Sequence, residues 1–520
     1  MKQKQAIRNL SLSGCFISVA RKNWHKRCIA DSTGKLSYGR TLVSVIAISQ
    51  KLNIPAASWD KIGILLPPSI AAVLANLAVT MLGKITVNLN YTLSSKARLD
   101  AIRRCDIKFI ISSRRFLKKA RIDKDLSDTV YIEDLILSIK PIDKLKAYLK
   151  ARFIPAKLLT KHKNEIATII FSSGTTGTPK GVMLSHYNIL SNISSIWKVI
   201  HLTEQDNLCS VLPFFHSFGF TCGLWLPLII GASAVHAFNP LDATEVGTNA
   251  RCNNSTVLLA PPTFLSHYIK RIDIWDFASL RLVVAGAEKL KKQITDSFGA
   301  KFGIRPLQGY GTTELSPAVS LNFPGVNKEG TVGRPLPQVE IKIIDLDTAR
   351  EVQPARSGLV MVKGPNVMVG YFNMPKETAE VLKDGWYNTG DIGYIDEDSF
   401  LTITGRLLRF SKIAGEMVPH IGVEEVFLNT LGTSEQLVAV TAVPDDKKGE
   451  ELIVLHLPQA GTADKLHDII TKSSLPNVWK PRRNNYIRVE SMPTLASGKL
   501  DVVKLREIAL SAKKPDNPDT

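Results

Sequence analysis

The chain reads as an α/β protein with more than one domain, on three observations. Its 520 residues are more than a single hydrophobic core usually organises. Apolar, β-branched runs lead straight into small polar residues that open helices: Lys61–Pro68 reads as a strand, and Ser69–Leu82 as an Ala/Leu helix capped by Ser69. Further on the period changes. Phe400, Thr402 and Thr404 alternate with Leu401 and Ile403, as in a strand of a small antiparallel sheet. A hydrophobic fraction of 44% and a mean hydropathy of +0.03 suit a soluble globular chain.

Residues 1 to 30 hold seven Lys or Arg and no Asp or Glu. The apolar centre from Leu10 to Ala20 is broken by Ser11, Ser13, Gly14 and Ser18, which speaks against a secretory signal but leaves an organelle transit peptide open. The six cysteines are scattered without metal-ligand spacing, as expected of free thiols in a reducing cytoplasm. The Ser69–Leu82 helix is well short of the roughly 20 residues that span a bilayer. Between Lys96 and Lys163 there are 19 Lys or Arg against 8 Asp or Glu, so over half of the chain's net charge of +19 sits there. No zinc-finger or RNA-binding motif accompanies it, so no nucleic-acid partner is expected. Leu145, Leu149 and Phe153 recur helically among lysines, as in a helix packed on its own domain or, alternatively, one lying on a membrane surface.

Ile166 to Phe171 reads as a buried strand that runs into Ser172-Ser173-Gly174-Thr175-Thr176-Gly177-Thr178-Pro179-Lys180-Gly181. Glycines bring backbone N–H groups close to a ligand, and hydroxyls and a lysine suit phosphate oxygens. The loop lacks Walker A spacing. Taken alone it is as compatible with a polar surface loop. Downstream, the apolar run Leu208–Ala237 is interrupted by Phe215-His216-Ser217, a histidine that alone would read as a core residue. Arg281–Glu288 reads as a strand ending in Gly286-Ala287-Glu288, small enough for a flat ring to approach. Then follow Tyr310-Gly311-Thr312-Thr313-Glu314, Asp391 within WYNTGDIGY, Gly405-Arg406, and Gly498-Lys499.

Together these stations, in this order, resemble the adenylate-forming superfamily of acyl-CoA synthetases, luciferases and peptide-synthetase adenylation domains. The resemblance covers residues 20 to 508 and implies a large layered α/β N-terminal domain (1–405), a small mobile α+β lid (406–510) and a tail (511–520). It implies ATP and Mg²⁺, with Ser172 to Gly177 and Lys180 on the phosphates and Gly286, Ala287 and Glu288 along adenine. Tyr310, Gly311 and Thr312 complete the nucleotide site. Thr313 serves the α-phosphate, Glu314 the metal, Asp391 and Arg406 the ribose, His216 the substrate carboxylate, and Lys499 the adenylation step. Bulky apolar surroundings, including Phe215 and Trp225, suit a fatty acid.

The chain departs from the family pattern at three points. Ser399 and Ala414 stand where glycine is usual, and Arg409 replaces the hinge Asp. The segment RFSKIAGEMV, from Arg409 to Val418, resembles acyl-[acyl-carrier-protein] synthetases. Acyl carrier protein is therefore the expected acceptor, with coenzyme A as the alternative, reached through a tunnel at Lys412 and Gly415. Cytoplasmic location, with peripheral membrane contact through residues 96–163, completes the expectation. Two other classes remain: a P-loop-like NTPase, and a non-catalytic basic membrane-binding protein.

Overall fold

The computed structural model describes residues 10–122, 129–160, 165–172, 179–414, 416–433, 435–445, 448–494 and 500–513. Two mostly parallel sheets form the large N-terminal part. One has seven strands, with Ile166–Ser172, Ile85–Asn88, Lys61–Leu65, Phe109–Ser112 and Thr129–Tyr131 running parallel. Its near edge is antiparallel: Lys180–Ser185 pairs back on Ile166–Ser172, and Gly370–Tyr371 pairs on Lys180–Ser185. The other has nine strands, centred on Asn207–Ser210, Val257–Ala260, Leu282–Ala285 and Leu307–Gly311. Val257–Ala260 and Leu282–Ala285 read as continuous apolar runs because parallel strands are covered on both faces.

The helix Ile70–Met81 forms where the sequence placed it. The Ser69 side chain accepts from the Ala72 amide at 3.2 Å, supplying a cap, and ten of its twelve residues are buried. Leu12–Lys22 is also a helix, capped by Ser11, and its stripe of Leu12, Phe16, Ile17 and Ala20 is buried in the main core. A third sheet of five antiparallel strands includes Gly358–Lys363, Trp386–Ile395 and Leu401–Arg406, in line with the alternation at Phe400–Thr404. Ser399 takes φ +65° in the turn before Leu401, which is the conformation glycine adopts without strain.

After Arg406 comes a smaller sheet-containing part. A hairpin pairs Phe410–Ile413 with Glu416–Pro419, and a three-stranded sheet joins Val438–Asp445, Gly449–His456 and Tyr486–Arg488. It has its own core, with Val418, Phe427, Val440 and Val454 fully buried.

One expectation is corrected. The helix Pro141–Phe153 does pack on its own domain, but through Ala147 and Ala151, while Leu145, Leu149 and Phe153 face outward. Arg21 fastens it by donating to the Ala151 carbonyl at 2.7 Å, and Lys51 pairs with Asp143 at 2.8 Å.

Candidate active site

The three sheets of the large part meet around one cavity of about 1910 Å³. The seven-stranded sheet contributes Ser172, Lys180 and Tyr371. Ser172 and Lys180 are cross-strand partners, so the two ends of the phosphate-loop candidate are held side by side. Ser173, Gly174, Thr175, Thr176 and Gly177 lie outside the described residues. The Lys180 ammonium sits 4.9 Å from the centre of the Tyr371 ring. The Tyr371 hydroxyl donates to Glu314 Oε1 at 3.1 Å, and Glu314 is buried. Burial, and then the Glu314 carboxylate, push the Tyr371 phenol well above its ordinary value.

The nine-stranded sheet contributes Gly286, Ala287 and Glu288, and the stretch from Gly309 to Glu314. Gly286 abuts the Phe218 ring, where a Cβ would come within 3.2 Å, and Ala287 takes φ +70°. Glu288 is turned toward the helix Pro262–Arg271, accepting from the Thr263 amide at 3.2 Å. At Gly311 a Cβ would collide with the Pro317 carbonyl, so only glycine fits. Thr313 lies 3.3 Å from the Ser217 hydroxyl, which ties the Thr-Thr-Glu turn to the aromatic–histidine segment.

The five-stranded sheet contributes Arg406, with Asp391 buried behind it as its partner across antiparallel strands. Asp391 is buried; it accepts from Arg406 Nε at 3.1 Å and from the Tyr310 hydroxyl at 2.5 Å. The Asp391 carboxylate raises Arg406, while burial, with Asp391 beside it, pushes the Tyr310 phenol well up. Arg406 is held charged and Tyr310 neutral, a donor to Asp391.

Two buried hydroxyls that reach this cavity, on Ser172 and Thr312, have no hydrogen-bond partner among the described residues. Unmatched donors are what a phosphate-rich ligand would satisfy. No cluster of three or more His, Cys, Asp or Glu suited to a metal occurs among the described residues. Glu314, buried beside Tyr371, is a hard oxygen donor of the kind Mg²⁺ takes.

Away from these polar groups the cavity turns apolar, lined by Leu212, Phe215, Cys222, Leu226, Leu259 and Val284. His216 lines it, stacked at 4.6 Å on Phe215, whose far side meets the Tyr91 ring. Trp225 does not line it. The indole is fully buried in the core on the other side of the π-helical turn Gly219–Trp225, a correction to the sequence reading. An unbroken apolar run carries no period to say which side faces a ligand.

Arg409 and Lys412 are not brought into the cavity. Arg409 is sealed against Glu424 at 2.5 Å, and Lys412 pairs with Asp347 at 2.6 Å. Gly415 and Lys499 lie outside the described residues, although Ala414 takes φ +50°. Sequence reasoning missed Tyr371 and Tyr387, whose rings stand beside Glu314. Tyr387 lies in the stretch read around Asp391 and could have been found there. Tyr371 left no signal beyond a Gly-Tyr pair.

The family described as AMP-binding enzyme matches residues 16–372. The long-chain-fatty-acid–CoA ligase of Bacillus subtilis (strain 168) is 31% identical over 349 residues, 65% of this chain and 61% of that protein. The oxalate–CoA ligase of Arabidopsis thaliana is 30% identical over 515 residues, 94% of this chain and 97% of that protein. The first relatives matched are covered over 64%, 62% and 61% of their length, less than two thirds. Among solved structures, the o-succinylbenzoate CoA synthetase of Bacillus subtilis in complex with its acyl-adenylate superposes with a TM-score of 0.80 at 24% identity. That superposition covers 95% of this chain and 98% of that one, a likeness of fold.

Proposed function

Because the chain belongs to the family of AMP-binding enzymes, we propose that it activates a carboxylic acid with ATP and transfers the acyl group to the thiol of coenzyme A. One observation carries the reading. A single cavity joins Arg406, ion-paired with the buried Asp391, to the Glu314–Tyr371–Lys180 group and continues into an apolar pocket. A fatty acid suits the apolar walls.

In the first half-reaction a carboxylate oxygen attacks the α-phosphorus and pyrophosphate leaves with the bridging oxygen. Charge gathers on phosphoryl oxygens, so positioned donors and cations do most of the catalysis. Ser172, the loop that follows and Lys180 hold the leaving phosphates. Thr313 donates to the α-phosphate, Tyr310 offers its face to adenine, and Asp391, paired with Arg406, accepts from the ribose hydroxyls. Glu314 would hold Mg²⁺, which when bound neutralises the phosphates. Lys499 completes this step. In the second half-reaction the thiol sulfur bonds to the acyl carbon and AMP departs. The smaller part turns about Arg409 to present the Lys412–Gly415 segment.

Sequence reading favoured acyl carrier protein as acceptor; the relatives are named as CoA ligases, which favours coenzyme A. The carrier protein keeps one support, the Arg409–Val418 segment with its arginine at the hinge position.

ATP–pyrophosphate exchange across a series of fatty acids, followed by thioester formation with both acceptors at equal concentration, tests the reading. Acid-dependent exchange, AMP release and a dominant acyl-CoA product are expected. ADP as product, or no AMP with any acid, overturns the reaction. Dominant acyl-carrier-protein product reverses the acceptor.

A further inference from the structure

The helix Pro141–Phe153 presents an apolar stripe to solvent on the side opposite its packing face. Ile142, Leu145, Leu149 and Phe153 follow one another by three, four and four residues, which stacks them along one line of the helix. Each is between 47% and 73% exposed. Ala147 and Ala151, the buried residues of the helix, lie across the axis from them. The exposed apolar character continues on both chain sides, with Leu137 at 83% before the helix and Leu158 at 70% after it. A soluble domain rarely leaves so many large apolar side chains together on one element without a use for them.

The charges around the stripe identify what covers it. Lys146 and Lys150 flank the stripe on one side and Arg152 on the other, and Lys144 is exposed farther round the helix. The nearby carboxylates are already engaged: Glu133 by Ser113, Asp134 by Arg114 and Asp143 by Lys51. The face therefore combines apolar side chains with cations. A second copy of the chain would bring like charges together, and an apolar protein groove would leave the lysines without counter-charge. An anionic bilayer surface satisfies both features, since acyl chains take the apolar stripe and lipid phosphates take the lysines.

We propose that Pro141–Phe153 is an interfacial helix that docks the protein on anionic phospholipid membranes, lying flat and not spanning. No helix among the described residues is long and apolar enough to cross a membrane. The helix is already folded and fastened through Arg21 and Lys51, so binding need not order it first. The inference does not depend on the reaction proposed above.

The test is flotation of the full chain with phosphatidylcholine vesicles, with and without phosphatidylglycerol. Binding to the anionic vesicles is expected, weakening with added salt. Leu145→Ser, Leu149→Ser and Phe153→Ser combined should lower the bound fraction about tenfold or more. Lys146→Glu with Lys150→Glu should lower it and flatten the salt dependence. Thermal unfolding of both variants should match the parent, because the replaced side chains are exposed. Absence of binding to anionic vesicles, or equal binding by the apolar-stripe variant, overturns the proposal. So does a parent chain that self-associates in sedimentation velocity while the stripe variant is monomeric, which would make the face a contact between copies.

Discussion

Arg406 and Arg409 are three residues apart, and each pairs with a carboxylate, yet the two pairs are placed in opposite environments. Arg406 meets Asp391 at 3.1 Å with its side chain 54% exposed on the cavity wall. Arg409 meets Glu424 at 2.5 Å with both side chains under a tenth exposed. Around the second pair the Val440 amide donates to Glu424 at 2.6 Å, and Ser411 and His420 bond each other at 2.7 Å, while one terminal nitrogen of Arg409 and Nδ1 of His420 are buried with no partner among the described residues. Burial raises the Glu424 carboxyl even with the guanidinium beside it. The same two functional groups thus give a site whose guanidinium reaches the cavity while its carboxylate stays buried behind it. They give a structural fastening where both are buried. Removing either partner of the second pair strands a buried charge, whereas in the first pair only loss of Arg406 does so, because an unpaired charge in the interior has no water to turn to.

The largest effect expected of that contrast is at Glu424. Glu424→Ala leaves Arg409 charged and buried, so the smaller part should lose about 3–5 kcal/mol. The measurement is urea unfolding followed by the fluorescence of Trp479, which packs on the core of that part. Arg409→Leu combined with Glu424→Leu should recover most of the loss. An unchanged midpoint in the single variant would remove the distinction between the two pairs.

At the other pair the cost should fall on activity. Asp391→Asn keeps the shape but not the charge that Arg406 and a ribose would use, and hydrogen bonds to charged groups are worth about 1.5–3 kcal/mol. Steady-state kinetics should show kcat/KM for ATP reduced by about 10- to 100-fold, with a minor shift in the urea midpoint. A large stability loss with intact turnover would mean that Asp391 is the fastening and not the site.

The smallest effect is a dependence on pH. Burial, and then Arg409, lower His420 to about 3 from an ordinary 6.5. The folded state therefore refuses a proton that the unfolded chain accepts. The stability contributed is fully present above pH 6.5 and is lost as pH falls toward 3, by about 1.4 kcal/mol per unit at most. Burial lowers His236 in the large part to about 4, with the same sign over a narrower window. Glu424, raised by burial, acts in the opposite direction, so wild-type slopes mix these groups. Denaturant titrations of His420→Gln between pH 6.5 and 4.5 should show the slope reduced by about one proton in the smaller part. An unaltered slope would show that His420 does not govern it.

Elements set by neighbours in the chain were legible without coordinates. The Ser69 cap and its helix, the strand entering the phosphate-loop candidate and the antiparallel strand at Leu401–Arg406 all depend on residues a few positions apart. Propensity and period act at that range. The order of the site segments was legible as well, because spacing and residue type survive in one dimension. The tertiary structure decided which side of each apolar run meets a cavity, the core or water. Trp225 went to the core and Phe215 to the cavity though both lie in one apolar run, and Leu145, Leu149 and Phe153, spaced helically among lysines, went to the surface. It also decided partners: Tyr371 for Glu314, Glu424 for Arg409 and Ser217 for Thr313 are separated by 57, 15 and 96 residues. A hydrophobic period tells how a segment divides into faces. What lies against each face is determined by chain brought from far away, and so is the desolvation that makes one arginine a site and its neighbour a fastening.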